Sequence, residues 1–170
     1  MKLVIANSRK WFEPSPWLNK SHEVFQITNE NDLSQKVLRR IKPDFIFFPH
    51  WGHVVRPSIF KNHECILFHT APLPYGRGGS PIQNLIIRDF HESAVCALRM
   101  TEDLDGGPIY LRRSIELNGR LTDILSDLNQ IINEMILEII EKRPVAILQK
   151  GTPTFFKRLS PEDNRLPENL

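Results

Sequence analysis

The stretch His69-Thr-Ala-Pro-Leu-Pro-Tyr-Gly-Arg-Gly-Gly-Ser-Pro-Ile-Gln83 decides how the chain is read. The apolar run before it, Cys65-Ile-Leu-Phe68, predicts a short buried strand that ends on a histidine. Pro72 and Pro74 then fix an extended path, because each ring locks φ and pushes the preceding residue out of the helical region. Gly76, Gly78 and Gly79 permit turns that a Cβ would block. Ser80, Pro81 and Gln83 have the spacing of an N-cap, a first helical residue and the third position of a capping box. Strand, irregular loop and capped helix follow in order, with an ionisable side chain at the strand's carboxyl end. In open α/β sheets that edge is where ligands bind.

Working outward, Leu3-Val-Ile-Ala6 reads as a buried strand and Glu23 to Thr28 as a second. Asn29 or Asn31 is placed to cap a helix over Leu33, Val37, Leu38 and Ile41, which Pro43 stops. Asp44-Phe-Ile-Phe-Phe48 is apolar after its first residue, as a strand covered on both faces should be. Pro57 to Lys61 suits one helical turn, and Ser80 to Arg88 the capped helix. Val95 to Met100 and Ile109 to Leu117 are strand-like segments around a loop holding Asp105. Leu121 to Glu141 carries apolar residues at spacings of three and four and predicts a helix laid on the sheet, ended by Pro144. Between Asn7 and Lys20, Trp11, Phe12, Pro14, Pro16 and Trp17 crowd a segment whose prolines argue against a long helix. It is either a loop with its aromatics tucked onto the body or a wall on which a ring, such as a nucleotide base, stacks. The alternation predicts an α/β, Rossmann-like architecture with a mainly parallel sheet and helices on both faces. Residues 145–170 are polar apart from Phe155-Phe156 and are expected to wrap the surface.

With 170 residues, 41% apolar and 25% charged, the chain is expected to form one globular domain with a real core. A formal charge of +2 with no Lys/Arg block gives no sign of a nucleic-acid partner. Cys65 and Cys96 lie in apolar, strand-like runs and are expected to be buried reduced thiols. There is no apolar run of membrane-spanning length and no signal-peptide pattern, so a cytoplasmic location is expected. The spacing around Gly76-Arg-Gly78-Gly79 lacks the dinucleotide fingerprint, so the fold carries no implication of a nicotinamide enzyme. His50, His53, His63 and His69 raise a zinc site, but His-x-x-His here lies in a proline- and glycine-flanked loop rather than on a helix with an intervening glutamate, and no metal is expected.

His69 with Leu73-Pro74, Arg77-Gly78 and Pro81-Ile82-Gln83 resembles the signature loop of the folate-dependent formyltransferases. Asp103-Leu104-Asp105-Gly106-Gly107-Pro108 is similar to that family's second motif, usually written Leu-Asp-Thr-Gly-Pro. Pro153-Thr-Phe-Phe-Lys-Arg158 with Pro161-Glu-Asp163 is similar to endings in members that formylate amino sugars. The resemblance implies 10-formyltetrahydrofolate as formyl donor. It implies His69 and Asp105 as catalytic residues, an imidazole that donates to the tetrahedral oxyanion and a carboxylate that orients it or accepts the amine's proton. Trp51, His53, Val55, Thr101, Glu102 and Asp103 would line the folate's pterin slot. Pro74, Tyr75, Arg77, Gly78, Gly79 and Asn84 would contact the acceptor. On spacing alone, His69 is better read as a satisfied core histidine and Asp105 as a turn cap; the paired motifs turn the reading to chemistry.

One position departs from the family pattern. An asparagine normally stands two residues before the catalytic histidine, and here that residue is Leu67. A backbone N–H of the loop, Asn84 or His50 would have to supply the missing donor. The tail, and the lack of room for the extra carboxyl-terminal domain of tRNA formyltransferases, give the expectation of an amine on a nucleotide-linked amino sugar as acceptor, in surface glycan synthesis. The alternatives are another small amine (a purine precursor or methionyl-tRNA) and a non-catalytic folate- or nucleotide-binding module. The oligomeric state stays open, a homodimer included.

Overall fold

In a computed structural model of the protein, which describes residues 1–164, a six-stranded sheet lies between two sets of helices. The last part of the expected surface wrap, residues 165–170, lies outside the described residues. In chain order the elements are β1 (Lys2–Asn7), α1 (Pro16–Ser21), β2 (Glu23–Ile27), α2 (Gln35–Ile41), β3 (Phe45–His50), α3 (Pro57–Phe60) and β4 (Cys65–His69). There follow β5 (Arg77–Gly78), α4 (Pro81–Ile87), β6 (Glu92–Arg99), β7 (Ile109–Glu116), α5 (Leu121–Lys142), β8 (Phe155–Phe156) and a 3-10 turn (Glu162–Asn164).

The large sheet has the order β2-β1-β3-β4-β6-β7. Its first four strands are parallel, whereas β6 runs antiparallel to β4 and β7 antiparallel to β6. Period-2 alternation then splits the core. Leu3, Ile5, Phe45, Phe47 and Ile66 face α5, with Leu18 of α1 and Ile82 and Leu85 of α4 on the same side. Val4, Ala6, Ile46, Phe48 and Cys65 face the other way, onto Leu38 and Ile41 of α2 and Ile59 of α3. Within α5 the buried stripe runs through Ile124, Leu128, Ile132, Met135, Ile136, Ile139 and Ile140. Both cysteines are free and buried, and burial pushes the Cys65 thiol up to about 12. Among the described residues no helix is long and apolar enough to cross a membrane.

Two local expectations are corrected. Ser80 does not cap α4: its backbone sits at φ +48°, its side chain makes no cap bond, and its Oγ accepts the amide N–H of Leu159 instead. The α2 cap is Ser34, whose Oγ accepts from Val37 N, while Asn29 closes a turn on Asn31 N. The tail runs over the surface as expected from its polarity, with Phe156 its one buried residue among those described. Phe156 is buried in the main core, and β8 pairs in parallel with β5 to make a second, two-stranded sheet. The close fit shows at Gly78, with φ +102°, where a Cβ would stand 2.5 Å from the Phe156 carbonyl oxygen.

The aromatic segment after β1 is tied to α5 by two asparagines. Asn129 Nδ2 donates to Trp11 O, and Asn133 accepts from Ser15 N while donating to Glu13 O. Phe12 is buried, and the rings of Trp11 and Phe12 pack on His50 with centroids 4.1 and 5.5 Å away. Trp17 stays exposed, with the Lys20 ammonium over its ring.

Phe156→Ala should therefore cost about 3 kcal/mol or more, the range for emptying a buried aromatic site. Denaturant melts would show it, and a loss below ~1 kcal/mol would mean that the tail is only draped on the surface. A second expectation concerns His50, whose pKa is lowered to about 3 by burial and by the nearby Arg9 charge. Between pH 6.5 and 3 the unfolded chain binds a proton there and the folded chain does not, so stability falls as pH drops through that window. At pH 5 the loss is ~2 kcal/mol relative to neutral pH, at about 1.36 kcal/mol per pKa unit. In His50→Gln, melts between pH 7 and 5 should lose less stability than wild type by that amount; parallel curves would refute the assignment.

Candidate active site

His69 is the last residue of β4 and is buried, at 6% exposure. Its Nε2 lies 2.7 Å from the Gly76 carbonyl and its Nδ1 3.5 Å from Asp105 Oδ2. Acceptors thus stand at both ring nitrogens, whereas a neutral imidazole has one N–H to give. The same Asp105 oxygen accepts the amide N–H of Gly78 at 2.8 Å. Asp105 itself has φ +48°, a conformation L residues rarely adopt.

A shared sheet edge is not what brings the pair together. Because β6 is antiparallel to β4, with Ile66 opposite Arg99 and His69 opposite Cys96, the carboxyl end of β6 lies at the amino end of β4. Met100 N accordingly donates to Cys65 O, and the loop to Pro108 has to return along β4 to reach His69. Gly107 makes that return possible: a Cβ there would sit 1.8 Å from the Arg99 carbonyl oxygen.

Most residues expected to contact the acceptor also touch the tail. Tyr75 stacks on Phe90 and meets Phe156 edge-on, and Pro74 O accepts from Thr154 N. Gly79 has Arg158 against its Cα, where a Cβ would come within 2.6 Å. Asn84 is buried, and its Nδ2 faces the carbonyls of Gly79, Ser80 and Lys157. Its Oδ1 accepts from Arg88. With both amide hydrogens engaged, Asn84 has none left for an oxyanion. Arg77 donates from Nε and from a terminal guanidinium nitrogen to Gln149 Oε1, at 3.2 and 2.8 Å. Gln149 in turn donates to Asp105 O and Gly107 O at 2.7 and 2.9 Å. Nothing in the sequence reading singled out Gln149; its polar neighbours in the tail, Lys150 and Thr152, gave it no periodicity to stand out from.

Of the six residues expected to line the pterin slot, Val55 is buried in the core behind β3, and Trp51 and Met100 pack against the same cluster. That common cluster brings the segment after β3 and the segment after β6 onto one face of the sheet. His53 pairs with Glu30 at 3.1 Å, Thr101 Oγ1 donates to Asp103 O, and Glu102 pairs with Lys61, which holds its carboxyl below the usual range. Asp103 is exposed. Trp51 Nε1 and His50 Nε2 are both buried without a hydrogen-bond partner in the protein, an uncommon debt for two adjacent side chains. A flat heterocycle bearing both donors and acceptors is the kind of group that settles such a debt, so the residues present fit a pterin. His50, His53, His63 and His69 do not converge: His50 lies under Trp11, His53 on Glu30, and His69 on Asp105. Leu67 shares its face of β4 with His69, two residues on, and is half-buried between the core behind β3 and the small cluster of Leu73, Cys96 and Leu98.

A family model described as formyl transferase matches residues 5–140. A methionyl-tRNA formyltransferase of Thermodesulfovibrio yellowstonii is 30% identical over 148 residues, which cover 82% of this chain and 48% of that protein. The chain spans about half the length of the curated relatives it matches. Among solved structures, the methionyl-tRNA formyltransferase from Clostridium thermocellum superposes with a TM-score of 0.92 at 34% identity, over 100% of this chain and 78% of that one. The formyltransferase PseJ from Anoxybacillus kamchatkensis was solved with UDP-4,6-dideoxy-4-formamido-L-AltNAc and tetrahydrofolate. It shares the fold at 19% identity and a TM-score of 0.72, over 92% of this chain and 85% of that one. On the extent of the family match and the closeness of the Clostridium thermocellum structure, the chain belongs to the formyl transferase family.

Proposed function

We propose that the chain transfers a formyl group from a 10-formylfolate to a primary amine, with His69 and Asp105 as the catalytic pair. The observation that supports this most is the His69 ring held between the Gly76 carbonyl and the Asp105 carboxylate, in a chain of this family. In the reaction the amine nitrogen attacks the formyl carbon, the bond from that carbon to the folate nitrogen breaks, and the proton lost by the amine ends on the folate nitrogen. The formyl oxygen carries negative charge in between. An oxygen developing that charge competes for the Nε2–H now given to Gly76 O. Asp105, facing Nδ1 at 3.5 Å, keeps the ring oriented. The loops carrying Trp51, His53 and Thr101 to Asp103 would hold the folate.

The acceptor is the finer question. The sequence motifs favoured a nucleotide-linked amino sugar. The curated relatives are methionyl-tRNA formyltransferases, whereas the sugar-acting PseJ is similar at a level that speaks for fold alone. The relatives therefore support a methionyl-tRNA type of acceptor over the sugar. Turnover with 10-formyltetrahydrofolate and each of the two acceptors tests both levels. Formyl transfer to neither would sink the activity, and transfer to the UDP-amino sugar alone would reverse the order of acceptors.

Two variants follow from this reading. His69→Ala and Asp105→Ala should each lower kcat ~100-fold or more, the usual weight of a positioned acid–base group, with circular dichroism unchanged. Folded variants at near-wild-type rate would remove the pair from the mechanism. Leu67→Asn should leave kcat unchanged and lower stability by about 1 kcal/mol, because it sets an amide among aliphatic neighbours. A several-fold faster enzyme of equal stability would show instead that the leucine leaves an oxyanion donor position vacant.

A further inference from the structure

We propose that Gln149 is a positioning residue for the His69–Asp105 pair, an inference that rests on the formyl-transfer reading of that pair. Asp105 sits at φ +48° in a loop that doubles back, so its local backbone does not hold the carboxylate in place by itself. The hold comes from outside the loop. Gln149 Nε2 donates to Asp105 O at 2.7 Å and to Gly107 O at 2.9 Å, clamping the carbonyls on either side of Gly106. Its Oε1 receives two N–H groups of Arg77. Reversing the amide would set its oxygen against two carbonyls and its N–H groups against a guanidinium, so the network fixes the orientation.

Gln149 is itself anchored. Ile147, two residues earlier, exchanges both backbone hydrogen bonds with Ile109 at the start of β7, at 2.8 and 2.9 Å. A few residues later the same segment reaches the other half of the pair. Thr154 Oγ1 accepts the Gly76 N–H at 2.8 Å, and the Gly76 carbonyl is the group that faces His69 Nε2. One stretch of tail thus touches the carboxylate's backbone through Gln149 and the imidazole's partner through Thr154. Arg77 links the two, because its neighbour Gly78 gives its N–H to Asp105 Oδ2.

Gln149→Glu separates positioning from simple anchoring. The carboxylate keeps the size of the side chain and strengthens the contact to Arg77, but it has no N–H for the carbonyls of Asp105 and Gly107. With the full chain, 10-formyltetrahydrofolate and the acceptor that wild type turns over, kcat should fall about 10- to 100-fold, as expected for a displaced catalytic group. The acceptor KM should stay within about twofold and the pH–rate profile should move. Two nuclear magnetic resonance measurements need no turnover. The Gly78 amide should exchange about tenfold faster, and the His69 Nδ1 resonance should move toward its position in Asp105→Asn. Gln149→Met, uncharged and of similar size, should reproduce these effects and covers the case in which the glutamate variant folds poorly. Wild-type kcat, pH profile and Gly78 protection in folded Gln149→Glu would overturn the proposal. A wild-type enzyme without formyl transfer would defeat the proposed function, while the two resonance measurements would still decide what Gln149 does to Asp105.

Discussion

Everything near the candidate site depends on how the backbone of the proline- and glycine-rich loop after β4 is satisfied. A loop at the centre of a fold carries N–H and C=O groups that must find partners. Here the partners come from the far end of the chain. Arg77 N donates to Thr154 O, Gly79 N to Phe156 O, Gly76 N to the Thr154 hydroxyl, and Thr154 N returns to Pro74 O. Asn84 adds a bond to Lys157 O, and Ser80 takes Leu159 N. The tail acts on the loop much as an extra strand acts on a sheet edge. This explains why Gly78 and Gly79 have no side chain, since a Cβ would meet the backbone lying on them. It also explains why Ser80 leaves the helix-capping role its position suggests.

That dependence ties stability to chemistry. The Phe156 ring that seals the tail to the core also carries Tyr75 on its edge and the Arg88 guanidinium at 4.9 Å, and Arg88 donates to Asn84. The loop position of Gly76, and through it the His69 ring, is therefore set by contacts that look purely structural. A residue can be remote from any substrate and still decide where the imidazole points.

Where one residue's neighbours in sequence set its environment, the sequence was a good guide. The apolar runs of β1 and β3, the stripe of α5 and the strand ending on His69 all lie where their patterns place them, because burial on one or both faces leaves a period. The motif loop and the Asp105 loop were visible through their prolines, glycines and ionisable residues. What stayed hidden needed knowledge of what lies across space. The antiparallel direction of β6 could not be told from its apolar residues, and it makes a returning loop, rather than a shared sheet edge, bring Asp105 to His69. Gln149 and Thr154 sit in a polar tail with no periodicity, and their importance comes from Asp105, Gly107 and Gly76, which lie at least 42 residues away in sequence. The tail contacts of Gly78, Gly79 and Asn84 were hidden for the same reason, since Phe156, Lys157 and Arg158 lie on them.

In the proposed reaction the departure at Leu67 then narrows to a question of which donors remain. Asn84 has its amide hydrogens on three carbonyls, and the Gly78 N–H is held by Asp105. His50 Nε2 is unpartnered, but it is buried beneath Trp11 and Phe12, and its low pKa keeps the ring neutral. Of these groups, His69 itself has the N–H most easily released, because its partner is a single loop carbonyl rather than a network. An imidazole that both faces a carboxylate and surrenders its Nε2–H to the substrate can stabilise the oxyanion without an asparagine beside it. In that geometry the demand on orientation is greater, since one donor replaces two. The clamp that Gln149 and Thr154 place on the two partners of the ring is the feature of this fold that meets that demand.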